Sequence, residues 1–200
     1  MATDLTGKKV AILVADGFEQ VEMTDPRRAL EDVGAATELI SPNKQTVRGW
    51  QHTDWGDEFQ VDCPLNEARP DDYDALLLPG GVMNPDKLRS SASAVAFVRA
   101  FFDSHKPVAA ICHGPWTLVE ADVVRNRHVT SYESIQTDLK NAGAQWSDEA
   151  VVVDNGLVTS RKPDDIPQFN AKMIEEFCEG LHPGSGAAVE STPAHSTHQA

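Results

Sequence analysis

The residues best suited to chemistry are Cys112 and His113, in the run Pro107-Val-Ala-Ala-Ile-Cys-His-Gly-Pro-Trp116. An apolar stretch that meets Gly-Pro reads as a buried strand turning sharply into a helix. Such a turn lifts one side chain off the sheet, the geometry of a nucleophile elbow. A helix N-terminus aims N–H groups and partial positive charge at the sulfur, which would lower its pKa and favour the thiolate. The N–H of His113 and one from the Gly80-Gly81 loop would then form an oxyanion hole. The other reading of Cys112 is a small buried apolar residue at a strand end, and Cys63 and Cys178 are read that way. His113 adjoins the thiol, but neighbours on a turn need not face each other. It is either the base or a locally bonded turn residue.

Glu19 and Glu22 follow a first strand that ends at Asp16-Gly17. Three residues apart, they share one face of a helix. They form either a solvated acidic face or a buried carboxyl beside the sulfur. In the second case desolvation and like charge would raise the carboxyl's pKa, and the protonated group would donate to the sulfur. Cys112-His113 lacks zinc-ligand spacing, and His52, His105 and His128 are scattered, so no metal and no other cofactor is expected.

These residues need elements to position them. Val10–Ala15 reads as a buried strand and is followed by helical material, with Val21, Leu30 and Val33 inward and Gly34 as the stop. Pro26 predicts a kink there, or two segments. Ala36–Ile40 is a second strand. Residues 42–72 are polar and read as an excursion of short antiparallel strands, near Val47–Trp50 and Glu58–Val61. Asp74 to Gly81 is a strand ending in a glycine loop, and Ser91–Phe102 has helical spacing. Residues 132–142 read as a helix, 150–153 and 157–160 as a hairpin around Asp154-Asn155-Gly156. A last helix opens at Pro163 and runs to about Glu179. Alternating strands and helices predict an α/β fold with a mostly parallel sheet. If the three distinctive strands are parallel neighbours, the ends at Asp16-Gly17, Pro79-Gly81 and Cys112-Pro115 converge on one patch.

The chain has 200 residues, 40% of them apolar, enough for one core. Residues 1–7 read as an N-terminal tail, 8–180 as the domain, and 181–200 as a disordered Pro/Gly/Ser/Ala/His-rich tail. The formal net charge is −14. Asp4 and Glu190 lie in the tails, so the acidic excess belongs to the folded part. That argues against a nucleic-acid partner. The longest apolar run has six residues, Val10–Ala15; a membrane span needs about 20, so no membrane partner is expected. Three scattered cysteines and no visible secretory signal predict reduced thiols in the cytoplasm.

The segments ADGFEQVEM, LLLPGG, AICHGPW and VTSRKPDDIPQFN together resemble the PfpI-like intracellular proteases. These are relatives of the parkinsonism-associated deglycase, in the class I glutamine amidotransferase-like superfamily. The resemblance runs in order over roughly residues 8–179. It implies a flavodoxin-like three-layer sandwich with helices on both faces of the sheet, and a homodimer sometimes assembled into hexamers. It implies that Cys112 is the nucleophile and the oxidation-sensitive cysteine, that Glu22 is the glutamate bonded to it, and that Glu19 is the other carboxylate of the motif. It further implies that His113 belongs to a triad whose acid comes from a neighbouring subunit. Asp86 best fits that place, although the loop GGVMNPDKLR is one residue longer than the family spacing. Activities of this family include peptidase, cofactor-free glyoxalase and deglycase chemistry, alongside roles as stress-response proteins or chaperones. A small recessed pocket favours a small aldehyde or a glycated protein group over a protein loop as substrate. A redox sensor using Cys112, or a holdase with Trp50 and Trp55 exposed, is the non-enzymatic alternative.

Overall fold

Strand β1 (Lys9–Leu13) buries side chains on both of its faces, which requires a covering layer on each side. The period of two divides them. Ala11 and Leu13 face one core, with Leu76, Leu78, Ala110, Phe97 and Phe101. Val10 and Ile12 face the other, with Leu77, Ile111, Met23, Leu30, Phe169 and Met173.

The computed structural model describes residues 3–182. After β1 come the two-residue β2 (Phe18–Glu19), α1 (Gln20–Asp32) and β3 (Ala36–Ser41). Next are β4 (Thr46–Gln51), β5 (Asp54–Gln60), β6 (Cys63–Pro64), β7 (Ala75–Leu78), α2 (Met83–Arg89) and α3 (Ala92–Asp103). Then follow β8 (Val108–Ile111), α4 (Pro115–Glu120), β9 (His128–Val129), α5 (Gln136–Asn141) and β10 (Gln145–Trp146). The chain closes with β11 (Val151–Asp154), β12 (Leu157–Ser160) and α6 (Ile166–Glu179).

The main sheet has the order β11-β12-β8-β7-β1-β3-β6. Every pairing is parallel except the β11–β12 hairpin. Helices α1 and α6 cover one face, and α3, α4 and α5 the other. This is the expected three-layer α/β sandwich. The polar excursion is a small sheet β2-β4-β5, in which β4 and β5 pair antiparallel with a bulge between Arg48 and Trp50. Because β1, β7 and β8 are parallel neighbours, their carboxyl ends do converge.

Three details differ from the sequence reading. Helix α1 is one segment and not two, with Pro26 buried inside it; burial of its apolar ring works against the loss of the hydrogen bond the proline removes. The N-terminal segment is tied down as far as it is described. Leu5 is fully buried, and its N–H donates to Val33 O at 2.8 Å. The last helix is preceded by a short 3-10 turn at Pro163–Asp165. Of the expected disordered tail, Leu181 and His182 are described, and 183–200 lie outside the described residues.

Candidate active site

Strand β8 ends at Ile111, and Cys112 takes φ 62° before Gly114-Pro115 opens α4. A side chain in this left-handed region costs on the order of 1–3 kcal/mol. Two hydrogen bonds hold it there: the Cys112 N–H donates to Ser160 O, and Cys112 O accepts from the Tyr132 N–H, both at 2.9 Å. The strained turn points the sulfur into a cleft of about 600 Å³, as a nucleophile elbow requires.

His113 does turn toward the thiol of its own chain. Its Nδ1 lies 3.2 Å from Cys112 Sγ, and its Nε2 lies 3.0 Å from Ser134 Oγ. Tyr132 stacks on the ring at 4.8 Å, and Trp116 meets it edge-on at 5.7 Å. Burial pulls the His113 pKa below its ordinary value, so the ring is neutral at pH 7 and one nitrogen is free to accept a proton.

Glu22 is fully buried on α1, and its Oε2 accepts the Gly80 N–H at 2.9 Å. Its Oε1 has no N–H or O–H partner and is left to couple with the Cys112 thiol. Burial pushes the Glu22 carboxyl up to about 8. It is therefore mostly protonated at neutral pH, a donor and not a fixed charge. Glu19 is half-buried at the mouth, where its Oε1 faces the His52 N–H at a loose 3.4 Å.

Two expectations are corrected. The thiol is not lowered. Burial pushes Cys112 above its ordinary value, charge on Glu22 would push it the same way, and the N–H groups of Gly81 and His113 oppose without prevailing. With six residues, α4 is too short to outweigh that desolvation. The oxyanion-hole donors also divide differently. Gly81 and His113 aim their N–H groups at the sulfur, whereas Gly80 gives its own to Glu22.

Asp86 lies exposed on α2 and does not line the cleft of its own chain. Residues that the sequence reading missed do. Trp50 and His52 come from the small sheet, Met83 from α2, and Tyr132 from the loop after β9. Among the described residues no lysine or arginine lines the cleft. Behind it, the fully buried Asn84 accepts the Ala15 N–H at 2.7 Å. The same side chain donates to Pro79 O at 2.8 Å and Gly80 O at 3.1 Å. It pins the β1 and β7 ends together. Only its place, three residues after the glycine pair, hinted at this role. A Glu176–Glu179–His182 group at the end of α6 brings ligand-type atoms within 4.8 Å of one another, but no member lines the cleft. Its Glu176 is already bonded to the Gly156 N–H and paired with His182.

With this geometry in view, the sequence profile of the DJ-1/PfpI family matches residues 8–176. The chain belongs to the DJ-1/PfpI family. It is 43% identical over 172 residues to an uncharacterized protein of Staphylococcus epidermidis, covering 85% of this chain and 98% of that one. A DJ-1/PfpI-like structure from Anabaena variabilis, a two-domain protein with a ferritin-like domain, superposes with TM-score 0.80 at 34% identity. That match covers 94% of this chain and 52% of the other, so the chain spans about half of that protein. Drosophila melanogaster DJ-1beta superposes with TM-score 0.78 at 26% identity, over 86% of this chain and 90% of its own. The DJ-1/PfpI assignment agrees with the resemblance carried by AICHGPW and its companion segments. Among the described residues no helix is long and apolar enough to cross a membrane.

Proposed function

We propose that this DJ-1/PfpI protein is a cysteine-dependent enzyme of stress response that attacks the carbonyl carbon of small aldehydes or of glycated protein groups. The observation that carries the reading is the 3.2 Å approach of a neutral His113 Nδ1 to Cys112 Sγ in an open cleft. The sulfur bonds to the carbonyl carbon, its proton passes to Nδ1, and the carbonyl electron pair moves onto oxygen. The N–H groups of Gly81 and His113, which face the sulfur, would stabilise that developing charge. Protonated Glu22 is placed to return a proton. With methylglyoxal the adduct is a hemithioacetal. Moving its C–H proton to the neighbouring carbon, and its hydroxyl proton to that carbon's oxygen, gives a thioester, and water releases lactate and the free thiol. A cleft with no lysine or arginine among its described residues suits a neutral aldehyde better than an anionic oxo-acid. Its recessed sulfur favours small groups over a peptide loop, so peptidase activity takes second place. Family membership supports the stress-related role. The proposed assembly is a homodimer, as the family resemblance implies.

The test is lactate formation from methylglyoxal by the wild-type protein and by Cys112→Ser. Turnover that vanishes with the sulfur supports the enzyme; turnover that survives the substitution rejects it. A redox sensor is the second reading, favoured by the protonated Glu22 carboxyl, which would donate to a Cys112 sulfinate. Peroxide-dependent mass gain on Cys112 without turnover would select it. Suppression of aggregation that survives Cys112→Ser would select a chaperone.

A further inference from the structure

We propose that Ser134 of the same chain is the positioning residue for the His113 base, in the place that a triad gives to an acid. The inference rests on the reading of Cys112 as nucleophile. If Nδ1 is to take the thiol proton, the neutral ring must carry its own hydrogen on Nε2. That N–H needs an acceptor, and Ser134 Oγ lies 3.0 Å away. The 3-10 turn Glu133–Ile135 carries Ser134. The Tyr132 N–H at its start is bonded to Cys112 O, and the Tyr132 ring stacks on His113. One short segment therefore fixes the elbow, the plane of the ring and its tautomer.

A hydroxyl orients the ring as a carboxylate would, without adding negative charge. When the thiol attacks, the proton leaves Sγ for Nδ1, the S–C bond forms, and the carbonyl pair moves to oxygen. The Nε2 hydrogen stays in place on Ser134. With Nε2 so engaged, Asp86 is not required as the orienting acid, whichever subunit supplies it. The titratable groups around the ring are Cys112 against it, Glu22 beyond the sulfur, Tyr132 on its face, and Glu19 and His52 lining the same cleft.

The experiment compares Ser134→Ala, Ser134→Thr and Asp86→Ala by three measurements: aldehyde kinetics, the rate of Cys112 alkylation by iodoacetamide against pH, and the ring tautomer of His113 by nitrogen-15 NMR. Ser134→Ala is expected to lower kcat about 5- to 10-fold, the size of one neutral hydrogen bond, with KM unchanged. It is also expected to mix the His113 tautomers. Ser134→Thr restores both, and Asp86→Ala changes neither. A single Nε2–H tautomer and an unchanged alkylation profile in Ser134→Ala would overturn the proposal, as would an equal loss in Asp86→Ala alone. If the wild-type protein turns over no aldehyde, the functional reading fails, while the tautomer and the alkylation profile still decide the role of Ser134.

Discussion

The Gly80 N–H donates to Glu22 Oε2 at 2.9 Å, so the loop after β7 is tied to a carboxyl on α1. The contact leaves no room at Gly80. A Cβ there would lie 2.5 Å from Glu22 Oε2, 2.7 Å from Cys112 Cβ and 2.8 Å from Ile111 O. Gly80→Ala is expected to destabilise the fold by about 1–3 kcal/mol through overpacking. Urea denaturation measures this, and a loss under about 0.5 kcal/mol, typical of a neutral surface change, would contradict it.

Glu22 should make stability depend on pH. Its folded pKa is raised from 4.5 to about 8, so between those values the folded chain binds more protons than the unfolded one. Its contribution is present below about pH 4.5 and is lost as pH rises toward 8. The loss is on the order of a few kcal/mol. Glu22→Gln keeps an acceptor for the Gly80 N–H but cannot ionise. Its stability, relative to wild type, should rise steadily from pH 4.5 to 8. Parallel stability curves for the two proteins would remove Glu22 from the buried pair.

Cys112 is expected to be a slow thiol until a substrate sits beside it. Burial raises its pKa, so iodoacetamide should alkylate it below pH 8 more slowly than it alkylates a free cysteine peptide. The rate should still be climbing above pH 9. A plateau reached by pH 7 would mean a resting thiolate.

Asn84 joins two strand ends with one side chain. Asn84→Ala would orphan the buried Ala15 N–H and the Pro79 carbonyl and leave the Gly80 carbonyl with only the Glu19 N–H, at a cost of about 2–4 kcal/mol. Asn84→Asp keeps the acceptor and loses both donors, so it should cost a similar amount. Thermal melts of both variants check this, and a midpoint within about 1 °C of wild type for Asn84→Ala would refute it.

How much of this could be read from the sequence depended on the range of each signal. Val10–Ala15, Ala75–Leu78 and Val108–Ile111 are apolar runs, each followed within three residues by a glycine. Their convergence at one sheet end follows from βα alternation. Cys112, His113, Glu22 and the glycine pair were legible for that reason. Ser134 lies 21 residues from His113 in an unremarkable polar stretch, and no local pattern marks it. Trp50 and His52 reach the cleft only because Phe18-Glu19 pairs with Gly49-Trp50, a contact between distant segments. The direction of the thiol shift could not be read either, because it depends on how deeply the sulfur is enclosed. The two-segment alternative at Pro26 failed because local chain rules were weighed without the burial its ring gains inside α1.

The φ of 62° at Cys112 has an evolutionary side. Glycine would sit at that bend without penalty, so the molecule carries an avoidable conformational burden for as long as position 112 bears a side chain. A lineage that stopped needing the thiol could shed that strain by drifting to glycine at this one codon. Retaining a sulfur there is worthwhile only while the sulfur is being used.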